Sequence, residues 1–198
     1  MLNKVNLVVF DFDGTLSGKD ANVEFAKYCI RRSVRPWLFA PLVIVASIAK
    51  LFNPGGIWWR QTMRRFLTAD MVTEFAPEFI KQHKQERFGW SKEHVKELRD
   101  AGYTVILISA SPDYLLPHLV RDIKFDAVMC SKMDQEKPWK YEFLCWGSNK
   151  VIAMDEWAKK NKYLPKVVRS YSDSKTDMPL MKIAQHKIWI DPKTGTRI

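Results

Sequence analysis

The sequence predicts an α/β fold, a Rossmann-like parallel sheet core into which a helical domain is inserted. Three observations predict it. The apolar run VNLVVF, residues 5 to 10, reads as a buried strand and stops on Asp11, Asp13 and Gly14. After Gly102, runs rich in β-branched residues alternate with helical patterns, which implies parallel strands with helices on both faces. Between these two regions the apolar residues recur at helical spacing only. The expected boundaries are residues 1–17 and 90–198 for the core and 18–89 for the insertion.

Composition sets the outer limits. A chain of 198 residues with 46% apolar and 27% charged residues suits one sizeable folded domain, or a core with a smaller insertion. The formal net charge of +10 predicts attraction to something anionic: nucleic acid, an acidic lipid surface or a phosphorylated compound. There is no RNP-like aromatic motif or helix-turn-helix signal, so no nucleic acid partner is expected. Cys29, Cys130 and Cys145 are odd in number and scattered, which suggests neither disulfides nor a zinc site. A reducing cytoplasm, including the inner face of the cytoplasmic membrane, is the expected setting. The amino-terminal apolar run is followed by carboxylates where a signal peptide needs small residues, so no export signal is expected.

Each element follows from its local pattern. Ala21 to Arg32 reads as an amphipathic helix, and Arg35 to Phe52 is apolar almost all round. Asn53-Pro54-Gly55-Gly56 marks a turn. Helical patterns then cover 57 to 68, 70 to 88 and 91 to 101, the last stopped by Gly102. TVILISAS reads as a strand, Pro112 to Lys124 as a helix and FDAVMCS as a strand. Trp139 to Trp146 looks like a hairpin arm. A helix over Lys150 to Asn161, the strand KVVRSYSDS, a helix over Met178 to Gln185 and the strand HKIWID complete the chain.

Polar residues of a particular kind close three of these strands: Asp11 and Asp13 the first, Ser109 the second, and SDSKTD, with Asp173 and Asp177, the third. Ligands of open parallel sheets bind beyond the carboxyl ends of the strands, so these residues converge on one crevice. Two carboxylates one residue apart repel each other unless a cation or a solvated turn receives them. Ser111 and Ser131 compete with Ser109, and Lys137 and Lys140 compete with Lys150. Ser109 is preferred because it directly ends the apolar run, while Lys150 opens the predicted helix before the last polar strand end and the choice among the three lysines stays open on spacing alone. The four histidines show no metal spacing.

Taken in order, DFDGT, Ser109 in ILISAS, Lys150 and SDSKTD resemble the four motifs of the haloacid dehalogenase superfamily of phosphatases, and they span nearly the whole chain. The resemblance implies an aspartyl-phosphate mechanism. In it Asp11 is the nucleophile, and Asp13 protonates the leaving alkoxide and then activates water. Mg²⁺ is held by Asp11, the backbone carbonyl of Asp13 and Asp173, with Asp177 supporting its water shell. Ser109, Lys150 and backbone around Gly14, Thr15 and Ala110 bind the phosphoryl group. The partner implied is therefore a phosphomonoester substrate. The insertion corresponds to the helical cap that screens the site in the phosphoserine-phosphatase-like subgroup. Asp20 stands where that enzyme has a glutamate, and Ser109-Ala110-Ser111 replaces its serine and two glycines, which puts phosphoserine in doubt.

A closer likeness is to the bacterial phosphatidylglycerophosphatase C family. Arg31-Arg32 precedes an apolar stretch, Cys145 to Val151 fits CxGxxKV, and Tyr171 to Met181 is similar to YSDSxxDxPLL with Met181 at the last leucine. That likeness implies a lipid phosphate substrate. Between Phe25 and Ala69 there are eight basic residues (Lys27, Arg31, Arg32, Arg35, Lys50, Arg60, Arg64, Arg65) and no acidic one. Basic side chains around an apolar, tryptophan-bearing segment suit an anionic membrane interface, so residues 31–65 are expected to associate peripherally with one. A buried cap helix and a dimer interface explain the same segment, and a soluble metabolite phosphatase or a non-catalytic membrane-binding module remain as other functions.

Overall fold

The structure, a computed structural model, describes residues 2–52, 57–62 and 64–198; of residues 50, 57, 59 and 60 only the backbone is considered. The turn expected at Asn53-Pro54-Gly55-Gly56 lies outside the described residues. In chain order the elements are β1 (Asn3–Phe10), α1 (Ala21–Arg32), α2 (Arg35–Leu38), α3 (Ala40–Phe52), α4 (Ile57–Thr62), α5 (Ala69–His83), α6 (Ser91–Asp100), β2 (Thr104–Pro112), α7 (Leu116–Leu119), β3 (Ala127–Met133), β4 (Tyr141–Phe143), α8 (Asn149–Lys160), β5 (Tyr163–Ser172), α9 (Met178–Ile183) and β6 (His186–Trp189).

The strands form one sheet in the order β4-β3-β2-β1-β5-β6. All pairs are parallel except β3 with β4. This is the α/β architecture the sequence predicts. Strand order reverses at β1, which pairs with β2 on one side and β5 on the other, so a crevice opens at its carboxyl end.

Period-two alternation explains why β1 is apolar throughout its buried half. Leu7 and Val9 join Ile106, Ile108, Val167, Met154 of α8 and Leu180 of α9 on one face. Val8 and Phe10 join Val105, Leu107, Val95 and Leu98 of α6 on the other. Both faces are covered, as a parallel sheet requires. The second cluster runs on without interruption into the inserted segment through Phe25 and Cys29 of α1, Phe66, and Met71 and Phe79 of α5. His83 stacks on Phe79, and His94 sits edge-on to Phe10 and Tyr171; both are packing residues. All three cysteines are buried and free.

Three expectations need correction. The helix expected over Pro112 to Lys124 is only α7, because Pro112 still pairs with Ser131 in the sheet and the Asp113 amide donates to the Ser131 carbonyl, and residues 113–115 then form a turn, with the Leu115 amide donating to the Pro112 carbonyl at 3.1 Å. The helix expected over 57 to 68 ends at Thr62. Thr68 adopts extended angles to cap α5, accepting a hydrogen bond from the Met71 amide at 3.3 Å, so α4 cannot run through it. The helix expected over 70 to 88 ends at His83 and gives way to a 3₁₀ turn, since Arg87 turns extended and bridges to Ser17.

Candidate active site

The turn after β1 is built around one carbonyl and one glycine. The Phe12 oxygen accepts from the amides of Thr15, Leu16 and Ser17 at 3.2, 2.8 and 3.1 Å. Gly14 has a φ of 76°, and a Cβ built there would overlap the Asp173 carboxylate. Only glycine lets the two strand ends approach so closely. The buried Thr15 hydroxyl ties them together, accepting from the Asp173 amide at 3.1 Å and donating to Asp173 Oδ1 at 3.4 Å.

Asp13 is held on both oxygens. Its Oδ1 accepts from the Ala21 amide at 2.7 Å, so the carboxylate lies at the amino end of α1, where orphan amides and the helix dipole favour negative charge. Asp20 caps the same helix, accepting from the amides of Asn22 and Val23 at 3.0 and 2.9 Å. Asp13 Oδ2 receives the Ser111 hydroxyl at 2.5 Å and the Ser109 hydroxyl at 3.3 Å. Burial, and secondarily Asp20, push the Asp13 carboxyl up to about 7.

Lys150 is the lysine that reaches the crevice. Buried on the first turn of α8, its Nζ lies 2.8 Å from Asp11 Oδ1 and 2.8 Å from Asp177 Oδ2. Asp177 Oδ2 also accepts from the Ser172 hydroxyl at 2.8 Å. Burial opposes the charge of Lys150, yet Asp11 and Asp177 outweigh it and hold the ammonium charged well above its ordinary range. Burial raises Asp11 and Asp173 above the ordinary carboxylate range, Lys150 opposing the shift and the neighbouring carboxylates adding to it. Four carboxylates thus face one ammonium, which leaves the site short of positive charge.

That shortage bears on a metal. Among the described residues, no group of three or more His, Cys, Asp or Glu side chains is arranged to hold an ion. The donors present are all oxygen, however, and the buried Asp177 Oδ1 has no hydrogen-bond partner among the described residues. An oxygen-only, anion-rich crevice fits a hard divalent cation that retains several waters. Both Asp13 carboxylate oxygens are already bonded, which leaves its backbone carbonyl as its means of contacting an ion.

Asp11, Asp13, Ser109, Lys150, Asp173 and Asp177 lie near the strand ends; of the competitors, Ser131, Lys137 and Lys140 lie apart from Asp13, whereas Ser111 reaches it. Ser131 donates to the Ala110 carbonyl at 2.8 Å and accepts from the Cys145 amide, so it braces the β2–β3 edge. Lys137 is exposed, and Lys140 pairs with Asp134 at 3.8 Å. Ser111 is the larger surprise, since it makes a shorter bond to Asp13 than Ser109 does. The sequence signal was its place two residues along the strand, which puts both hydroxyls on the same side of β2. Ser172 had no comparable signal, because its bond to Asp177 depends on the 3₁₀ turn Lys175–Asp177 folding back.

Buried carboxylates, hydroxyls and one lysine thus meet at the switch point of a doubly wound sheet, where such folds place their ligands. The chain belongs to the haloacid dehalogenase-like hydrolase family, whose model matches residues 8–182. It is 28% identical over 214 residues to a probable phosphatase of Mycobacterium tuberculosis strain H37Rv, covering 95% of this chain and 69% of that protein. A Bordetella pertussis Tohama I protein of unknown function has a similar structure, with a TM-score of 0.79 and 17% identity over 98% of this chain and 93% of that one. A phosphoserine phosphatase solved as a phospho-aspartyl intermediate analogue gives a TM-score of 0.63 and 18% identity over 95% of this chain and 87% of that one.

Proposed function

We propose that this enzyme hydrolyses phosphomonoesters through an aspartyl-phosphate on Asp11. The observation that carries the reading is the buried Asp11–Lys150–Asp177 array at the carboxyl end of the central strand, one residue from an Asp13 seated on a helix amino end. Asp11 attacks phosphorus while Lys150 and Ser109 hold the phosphoryl oxygens, with amides of the turn around Gly14 and Thr15 and of Ala110 as further donors. Asp13, with a pKa raised to about 7, gives its proton to the departing alkoxide. It then takes one from the water that cleaves the phosphoenzyme. Asp11, the Asp13 carbonyl and Asp173, with Asp177 behind, would hold Mg²⁺, which would supply the positive charge that offsets repulsion between a carboxylate and a phosphate dianion.

Residues 18–89 act in this reading as the cap that selects the alcohol. The leading substrate is an anionic lipid phosphate such as phosphatidylglycerophosphate, supported by the CxGxxKV and YSDSxxDxPLL likenesses and by the exposed apolar surface of α2 and α3. The fold shared with phosphoserine phosphatases supports a second reading, a small soluble phosphomonoester.

The test is phosphate release with and without Mg²⁺ from phosphatidylglycerophosphate in mixed micelles, glycerol 3-phosphate, phosphoserine, histidinol phosphate and an aryl phosphate. Asp11→Asn should lower the rate by about 10³-fold or more with the fold intact. Full activity in that variant overturns the mechanism, and preference for a soluble ester overturns the lipid reading.

A further inference from the structure

We propose that the outward face of α3, continued by Trp37 and Leu38 of α2, docks on an anionic lipid bilayer and lies in its plane. This deepens the lipid reading of the site by naming the surface that would hold the enzyme at its substrate. The assay below reads no hydrolysis, so the two can fail separately.

The face is apolar and open. Ile44, Val45, Ile48, Leu51 and Phe52 follow one another at helical spacing, and Leu38, Leu51 and Phe52 are 78%, 79% and 85% exposed. Inward, Ala46 is buried, so the helix is already seated by its other side. Ser47 shares the outward surface, but its hydroxyl donates to the Val43 carbonyl at 2.8 Å, which satisfies it within the helix. A contiguous apolar surface of this extent marks an interaction site.

Charge selects the occupant. Arg31, Arg32, Arg35 and Arg65 are all exposed around this segment, and no acidic residue occurs between Phe25 and Ala69. Arg32 leans towards Glu78 of α5 at 3.8 Å, while Arg35 donates from Nε to the Phe66 carbonyl at 3.0 Å. A second copy docked on this face would bring the same basic segment, which has no acidic residue between Phe25 and Ala69 to answer the arginines. Anionic headgroups would instead surround the apolar strip with counter-charge, and the exposed indoles of Trp37 and Trp58 suit the headgroup depth.

Length sets the orientation. The 13 residues of α3 span about 20 Å, short of the roughly 30 Å hydrocarbon core. Among the described residues no helix is long and apolar enough to cross a membrane. The 12-residue α1, about 18 Å long, runs from Asp13 at its amino end to Arg31 and Arg32 at its other end. The docked surface therefore begins one helix length from the catalytic carboxylates.

The experiment is vesicle flotation of the wild type and of Asp11→Asn with pure phosphatidylglycerol and pure phosphatidylcholine vesicles, at low and high salt. Both proteins should bind phosphatidylglycerol at least tenfold more tightly than phosphatidylcholine, with salt weakening the binding. Ile44→Glu/Ile48→Glu should abolish flotation while circular dichroism and Tm stay at the wild-type values. Arg31→Ala should weaken binding about fivefold. Failure of the wild type to float, equal binding to both lipids, or unchanged binding of the double variant overturns the proposal. So does a wild-type dimer in solution that the double substitution splits into monomers, which would assign the face to a second copy.

Discussion

At the residue scale, Asp13 is fixed by the Ala21 amide, Ser109 and Ser111, and the shortest of these bonds comes from Ser111. Ser111 touches no reacting atom in the proposed mechanism, so it acts as a positioning residue. Ser111→Ala should lower kcat about 10- to 100-fold with little change in KM, because a loosened acid delivers its proton from a poorer geometry. Ser111→Thr, which keeps the hydroxyl, should recover most of that loss. Equal loss in both variants, or a change confined to KM, would place the effect in packing or binding instead. Its place at the end of the apolar run favoured Ser109, but spacing did not reveal that Ser111 shares Asp13 with it. Ser131 also follows a strand-like apolar run, and only the packed sheet turns it towards Ala110 and Cys145.

At the element scale, α1 connects chemistry to packing. Its amino end receives Asp13 and Asp20, while Phe25 and Cys29 are buried in the same apolar cluster as Phe10. Asp20→Ala should cost about 1 kcal/mol, a fall in Tm of roughly 2 to 4 °C by thermal denaturation, because two helix amides lose their acceptor. Asp20→Asn should retain most of the stability, and a Tm unchanged in Asp20→Ala would show that the cap is not needed. The bounds of α1 were legible because its apolar residues keep helical spacing and Asp20 is a strong capping residue. The short α7 was not. Its sequence permits a longer helix, but β2 pairs through Pro112 and residues 113–115 are spent on the turn out of the sheet. Local propensity loses there to a long-range pairing.

At the scale of the whole molecule, the balance of charge at the site makes a thermodynamic prediction. If a divalent cation answers the four carboxylates, Mg²⁺ at about 100 times its Kd stabilises the folded chain by about 2.7 kcal/mol. The Tm should then rise by about 5 to 10 °C. Asp173→Asn should remove most of that rise, and a Tm indifferent to Mg²⁺ in the wild type would overturn the assignment of the metal.

The sequence by itself determined the α/β class, most element bounds and the strand ends that carry the polar residues. These depend on patterns within a dozen residues: alternation, helical spacing, a capping aspartate, a glycine at a turn. Only the tertiary structure decided that Lys150 rather than Lys137 or Lys140 meets Asp11 across 139 positions, that Ser111 shares Asp13 with Ser109, and that the apolar face of α3 stays uncovered. Those outcomes turn on which distant surfaces pack together. An apolar helix reads the same in sequence whether its outer face is buried by a neighbour or left open.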